Sequence, residues 1–448
     1  MPWLEEAFHF TSLVVDPLTL HGHRKTRIYL ERSKSSPLKV YLREEDDNHY
    51  PFLDDAFLLT VPHIGRLGSL SLIGSEENFI KLVNKHFNRP APFLEKLRIC
   101  FSDEPHTIMA AIFDGNLSSV RELRLSGVLT DLSWKNLANL TKFELCHVPS
   151  NRISVTQLLD FFERAPLLSN IRLLWAFPTT SDAPFGRVVS LPHLKKLNID
   201  AKPVHSILLE HLSVPSGAPL VLVRQPDSEG SRVLDYLPKS LKHLNNLSCV
   251  TSINLRCSSV VSLQLDGPSG RLSIFAYSGA APSLRTIHSR FLRSLNHFNI
   301  SMVERLMIMT YDTPLHPGIE NSSVYQTLFL MNALRTLILI DCLNAPFISA
   351  LNPSRTSGTL VCPVLEELVL YVEKEEWFCV DELLGMVKER NSRGARLSTI
   401  TIVSSPELML TKKVLKLRDH VSRVEYKLDD VARIRKSVLD DFDHESDW

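Results

Sequence analysis

The stretch Leu94-Glu-Lys-Leu-Arg-Ile-Cys100 and its later counterpart Val120-Arg-Glu-Leu-Arg-Leu-Ser126 decide the fold. Both run apolar, two residues, apolar, one residue, apolar. The last two aliphatic positions alternate with polar ones, as in a β-strand with one buried face. The leading position turns the chain into that strand. The same triplet recurs with leading residues Leu67, Leu94, Val120, Leu140, Leu168 and Leu194, which are 27, 26, 20, 28 and 26 residues apart. It returns at Val303, Leu334, Leu365 and Leu397, spaced 31, 31 and 32, with a last copy at Val421 after 24. One such strand cannot bury its face alone. Stacked copies make a parallel sheet with a continuous core.

The spacers read as amphipathic helices. Ser154 is an N-cap ahead of Val155, Leu158, Leu159 and Phe162 on one face. Phe79, Ile80, Val83 and Phe87 do the same over residues 76–87, and further helices are predicted over 324–330 and 380–388. Prolines such as Pro90, Pro166, Pro192 and Pro363 stop the preceding helix ahead of a strand. The predicted fold class is α/β: a leucine-rich-repeat-like solenoid, with a curved parallel sheet on the concave side and helices on the convex side. A doubly wound domain also alternates strands and helices, but its strands are near-continuously apolar and its first loop is Gly-rich. Residues 216–290 break the rule. Triplets led by Val250 and Val260 stand only 10 residues apart, and Asp266-Gly-Pro-Ser-Gly-Arg271 is a turn signal, so this middle is expected to be irregular, strand-rich and to contain a hairpin.

Composition narrows the function classes. The 448 residues carry 50 basic and 50 acidic side chains, a net charge of +0. No nucleic acid or membrane partner is expected from so balanced a chain. The 16 glycines form none of the phosphate-binding loops. Seven cysteines with wide gaps make neither a CxxC pair nor a zinc spacing, and fit a reducing compartment, cytoplasmic or nuclear. The start Met1-Pro-Trp-Leu-Glu-Glu-Ala-Phe has no secretory signal character. The most apolar window, residues 324–343, is broken by Gln326, Asn332, Arg335 and Asp341, and falls short of the ~18 apolar residues of a membrane span.

No catalytic constellation emerges, so no enzyme activity, metal or cofactor is expected. His21 and His23 lack a third ligand and are expected in a turn before Arg24. Ser33 to Ser36 read as a polar loop ahead of a strand over 38–42, and Glu44 to Asp47 as a solvated acidic turn. Cys146 and His147 are adjacent on a strand and point apart, which disfavours a nucleophile–base pair. The remaining candidate surface is the sheet face turned away from the core. In the first half it presents Lys96 and Arg98, Glu122 and Arg124, Lys142 and Glu144, Asn170 and Arg172, and Lys196 and Asn198. In the second half Met307, Ile338 and Val369 fall on adjacent strands as an exposed apolar row, expected either to meet a partner or to lie under the tail, residues 429–448.

Thr26-Arg-Ile-Tyr-Leu-Glu-Arg-Ser-Lys-Ser-Ser-Pro-Leu-Lys-Val40, Pro62-His-Ile-Gly-Arg-Leu67, Pro90-Ala-Pro-Phe-Leu-Glu-Lys-Leu97, Leu191-Pro-His-Leu-Lys-Lys-Leu197, Gly267-Pro-Ser-Gly270 and Val424-Glu-Tyr426 together resemble the F-box/leucine-rich-repeat proteins of mushroom-forming fungi. The resemblance covers roughly residues 20–430, as pattern rather than identity. The helical F-box belongs ahead of that region and is not expected within this chain. The resemblance implies a post-F-box-like segment over 1–60, while the residue pattern itself sets repeat units over 61–215 and 291–428, the strand-rich insert over 216–290, and an acidic tail over 429–448. It also implies a non-catalytic interaction module that recognises substrate proteins for an SCF-type ubiquitin ligase. A Skp-type adaptor partner is expected only where an F-box lies upstream. The alternatives are an F-box-less repeat scaffold or truncated gene product, and, as a distant third, an enzyme with an unrecognised site.

Overall fold

Every triplet read from the sequence forms a strand in the computed structural model. The structure describes residues 13–15, 20–43, 53–101, 112–128, 134–148, 153–176, 186–200, 203–224, 240–257, 260–277, 298–310, 321–340, 345–355, 358–373, 378–405 and 414–429, together with Leu132, Leu237, Pro238, Leu292, Leu295 and Leu408. The architecture is mixed α/β, with a large, mostly parallel sheet and sparse helices. The chain splits into two compact units, residues 1–221 with 236–245, and 222–235 with 246–448.

In the first unit the strands are β1 (Leu13–Val15), β2 (Leu38–Arg43), β3 (Leu67–Gly74), β4 (Lys96–Phe101), β5 (Glu122–Ser126), β6 (Lys142–Val148), β7 (Asn170–Ala176), β8 (Val189–Ser190), β9 (Lys196–Asp200) and β10 (Leu212–Ser213). Strands β1 to β7 and then β9 pair in sequence order, all parallel. Leu70, Leu97, Leu123, Phe143, Ile171 and Leu197 stand opposite one another, and all six are buried. Strands β8 and β10 form a separate parallel pair. Strand β2 lies within the segment expected to precede the repeats, yet Val40 and Leu42 pair with Leu70 and Leu72. Pro37 takes the place of the leading aliphatic there, which hides the triplet.

The rungs share one hydrogen-bond device. The carbonyl just ahead of most strands accepts two N–H groups from the next rung. Glu95 O receives Arg121 N and Glu122 N, Arg121 O receives Thr141 N and Lys142 N, and Thr141 O receives Ser169 N and Asn170 N, at 2.8 to 3.0 Å. A tight turn leads into each rung: Leu94 N donates to Ala91 O, Val120 N to Leu117 O, Leu140 N to Leu137 O and Leu168 N to Ala165 O. The turn residues Ala91, Leu117, Leu137 and Ala165 are buried. The rung therefore has a fourth apolar position, three residues ahead of the triplet, which the sequence pattern did not single out.

Helices α1 (Leu20–Arg32), α2 (Leu53–Thr60), α3 (Glu76–His86), α4 (Val155–Arg164) and α5 (Pro203–Glu210) fill spacers of this unit. His21 and His23 thus lie in the first turn of α1 rather than in a turn before it, because the run continues helical to Arg32. Ser33 to Ser36 form a turn, as expected, while Glu44 to Asp47 lie outside the described residues. Ser154 caps α4 with a capping box: its Oγ accepts from Gln157 N at 3.1 Å, and its N–H donates to Gln157 Oε1 at 2.8 Å. The Phe161 ring of α4 packs against Phe143 of β6, tilted by 38° with ring centroids 4.3 Å apart, tying helix to sheet. Between β5 and β6 the described residues contain no helix. Arg164 at the end of α4 donates to the Trp134 and Leu132 carbonyls at 2.8 Å, satisfying that irregular spacer. This accounts for the shortest interval in the series.

The second unit repeats the scheme. After β11 (Leu220–Arg224), which runs across the boundary, come β12 (Ser252–Cys257), β13 (Val260–Gly267), β14 (Gly270–Tyr277), β15 (Arg305–Thr310), β16 (Thr336–Ile340), β17 (Glu367–Val372), β18 (Thr399–Ser404) and β19 (Arg423–Leu428). Strand β12 pairs parallel with β15, and β15 to β19 continue in parallel order. Thr251 O, Glu304 O, Arg335 O and Glu366 O each accept the paired N–H groups of the next rung. The hairpin expected in the middle is β13–β14, antiparallel and closed by the two residues Pro268 and Ser269. The triplet led by Val260 belongs to a strand running against β12, a direction that a two-residue period does not encode.

Helices α6 (Asn321–Leu330), α7 (Ala345–Leu351) and α8 (Val380–Ser392) complete this unit; α6 and α8 cover the two helices predicted there. Arg390 on α8 is fully buried and donates to the Val361 and Cys362 carbonyls at 2.7 and 2.8 Å. It holds α8 to the turn leading into β17, as Arg164 holds α4.

Two stability outcomes are expected. A Cβ at Gly267 would overlap the Cys249 carbonyl, so Gly267→Ala should lose at least about 2 kcal/mol in chemical denaturation. Arg390→Ala, which strands two buried carbonyls and leaves a void, should lose about 2–4 kcal/mol, and Arg390→Met, which keeps volume, should lose less. Equal losses for the two Arg390 variants would show that the hydrogen bonds alone, and not packing, hold that turn.

Candidate functional site: the outward face of the first sheet

Because strand side chains alternate, residues between the buried aliphatics emerge on the opposite face. The unshifted register from β4 to β9 sets them in two rows. One reads Lys96, Glu122, Lys142, Asn170, Lys196; the other reads Arg98, Arg124, Glu144, Arg172, Asn198. All ten are the positions that the triplet pattern assigns to this face. Most are exposed or half-buried, while Asn198 is buried.

Both carboxylates bridge two cations. Glu122 meets Lys96 Nζ at 3.2 Å and Lys142 Nζ at 3.1 Å. Glu144 meets Arg124 at 3.4 Å and Arg172 at 3.3 Å. Burial raises the Glu122 pKa, but the hydrogen bonds from Lys142 and Lys96 outweigh it and hold the carboxyl below the ordinary glutamate range. Arg98 instead reaches the Cys100 Sγ through Nε at 3.4 Å. At the end of β6 and β7, His147 and Trp175 stack with ring centroids 5.9 Å apart, both exposed and both at left-handed backbone angles. The pattern gave no sign of this pair, since the extra residue in each strand breaks the two-residue period.

Burial and the neighbouring Glu144 push the Cys146 thiol up to about 12, so it is protonated at neutral pH. Its Sγ lies 3.5 Å from Glu144 Oε1. Among the described residues no group of three His, Cys, Asp or Glu side chains could hold a metal ion, and no helix is long and apolar enough to cross a membrane.

The second unit corrects one expectation. Met307, Ile338 and Val369 do align on β15, β16 and β17. They do not form an open apolar row: Met307 and Ile338 are 8% and 9% exposed, and Val369 is half-buried. Met309 and Ile340, with Tyr371 against them, continue the same face one step along the strands and make the row part of a packed cluster. The triplet stops short of those positions, so it showed only one side of the cluster. The tail from residue 430 onward lies outside the described residues. No protein-family model matches the chain, and no curated protein matches its sequence.

The Glu122 bridges should appear in solution. A carbon-detected NMR titration is expected to place its midpoint below that of an ordinary glutamate, and Lys96→Ala with Lys142→Ala should move it upward. The depressed value makes the bridges stabilising above the ordinary glutamate range, and that contribution fades as pH falls through the lower, folded-state range. A midpoint unchanged by the double substitution would mean that the lysines do not hold the carboxylate.

Proposed function

We propose that this chain is a non-catalytic protein-interaction module of leucine-rich-repeat-like build, whose polar sheet face over β4 to β9 meets a partner protein. One observation carries the reading. Ten outward positions on five strands stay in an unbroken register, so their side chains are held as two fixed rows by a rigid ladder. A surface built on strands is already ordered before a partner arrives, which lowers the entropic cost of association. The packed state of Met307, Ile338 and Val369 favours a structural role for them and leaves the polar rows as the contact surface. The resemblance to F-box/leucine-rich-repeat proteins supports substrate recognition for an SCF-type ligase, by analogy of build rather than by a site. That version requires an F-box, joined to this chain upstream, to engage the Skp-type adaptor.

A photo-crosslinking residue in place of Asn170, on the fourth of the five strands of the face, is expected to capture protein partners in cells. The same residue in place of Phe93, which is exposed on a turn, should capture far less. Equal labelling from both positions, or none from Asn170, would remove the face from the account. Co-purification of the full-length gene product with its Skp-type adaptor tests the ligase version, and no adaptor binding would end it.

A further inference from the structure

The chain is neutral as a whole, but its candidate face is not. Of the ten row positions on β4 to β9, six are basic (Lys96, Arg98, Arg124, Lys142, Arg172 and Lys196), two are acidic and two are asparagine. The face therefore carries four positive charges in excess, while the chain carries none. We infer that this face binds an extended acidic segment of a partner protein, one whose negative charge is spread over several single carboxylates. This inference rests on the reading of the face as the contact surface.

The arrangement of the cations selects the ligand. Lys96 and Lys142 flank Glu122, and Arg124 and Arg172 flank Glu144, so no cluster of unneutralised cations converges on one point. A phosphate dianion placed among them would sit beside a resident carboxylate. Single carboxylates laid along the rows can instead meet the side chains that retain positive charge to spare. The Lys96 and Lys142 side chains are more than half exposed, so their ammonium groups can take a second partner. Arg98 bonds only a thiol sulfur among the described contacts, and its guanidinium carries no carboxylate partner there.

The dimensions also fit. Strands stand ~4.8 Å apart, so the five strands span about 19 Å, which an extended segment crosses in about six residues. Single-stranded nucleic acid also spreads its charge, but it gains its grip from bases stacking on aromatic side chains. None of the ten row positions is aromatic, and the exposed His147–Trp175 pair lies beyond the rows, at the end of β6 and β7.

Fluorescence anisotropy with the intact purified chain tests the inference. The probe is a labelled peptide of about 12 residues, alternating Glu and Ser, which is long enough to cross the face twice. The same peptide with Gln for Glu, its phosphoserine version and a U-rich RNA oligomer are the comparison arms. The Glu peptide is expected to bind, to weaken with added salt, and to outbind all three. Lys96→Gln with Arg98→Gln and Lys142→Gln should weaken it about tenfold, from the loss of three exposed ion pairs. Arg355→Gln with Lys388→Gln and Lys416→Gln, the same charge change in the second unit, should leave it unchanged. Arg98→Gln alone gives a milder variant should the triple one fail to fold, and a measurable weakening is expected from it as well.

A Glu peptide that binds no better than its Gln counterpart overturns the inference, as does equal weakening by the second-unit variant. Tighter binding of the phosphoserine peptide or of RNA overturns the choice of partner. If any of these occurs while the Asn170 crosslinks persist, the face remains a contact surface and only its acidic partner is lost. If the crosslinks fail as well, the reading of the face falls first.

Discussion

The ladder depends on one backbone carbonyl per rung. In both units the carbonyl just ahead of a strand takes two N–H groups from the rung that follows. This double acceptance uses both lone pairs of the oxygen and satisfies two donors that would otherwise be buried without partners. It also fixes where each strand begins relative to its neighbour. A parallel strand that slipped by one residue would turn its aliphatics outward and its charges inward. The twin bond, with the buried aliphatics behind it, prevents that slip, and through it the fold controls the alignment of the outward rows.

Charge placement follows from the same constraint. Glu122 can bridge Lys96 and Lys142 because the three residues stand opposite one another on consecutive strands. Glu144 bridges Arg124 and Arg172 for the same reason, one step further along. Each exposed bridge is worth little by itself, about 0.2–1 kcal/mol. Their consequence is positional: they hold long side chains near fixed points on a face that has an excess of positive charge. The second unit uses the same ladder differently. Beside Arg305, Thr336 and Glu367, its outward positions Met307, Met309, Ile338 and Ile340 pack together, with Val369 and Tyr371 half-buried against them.

Much of this was legible in the sequence. The triplet located the strands from β3 to β19 other than β8, β10, β11 and β14, and it assigned all ten outward positions of the first face. Ser154 and its apolar partners located α4, and the Gly267-Pro-Ser-Gly270 turn located the hairpin. What escaped had physical causes. Pro37 in a leading position concealed that the strand expected over 38–42 is a further rung of the ladder. The short spacer between β5 and β6 is held by Arg164 reaching into it, which no helical period can reveal. The burial of Met307 and Ile338 depends on neighbours distant in sequence.

The ladder itself is open to direct measurement by amide hydrogen exchange. If the twin bonds hold each rung, the amides of Glu122, Lys142, Asn170, Thr336 and Glu367 will exchange as slowly as those of the buried strand centres Leu123 and Leu337. Rapid exchange at these positions, at the rate of exposed turns, would contradict the stacked register from which both the fold and its charged face are derived.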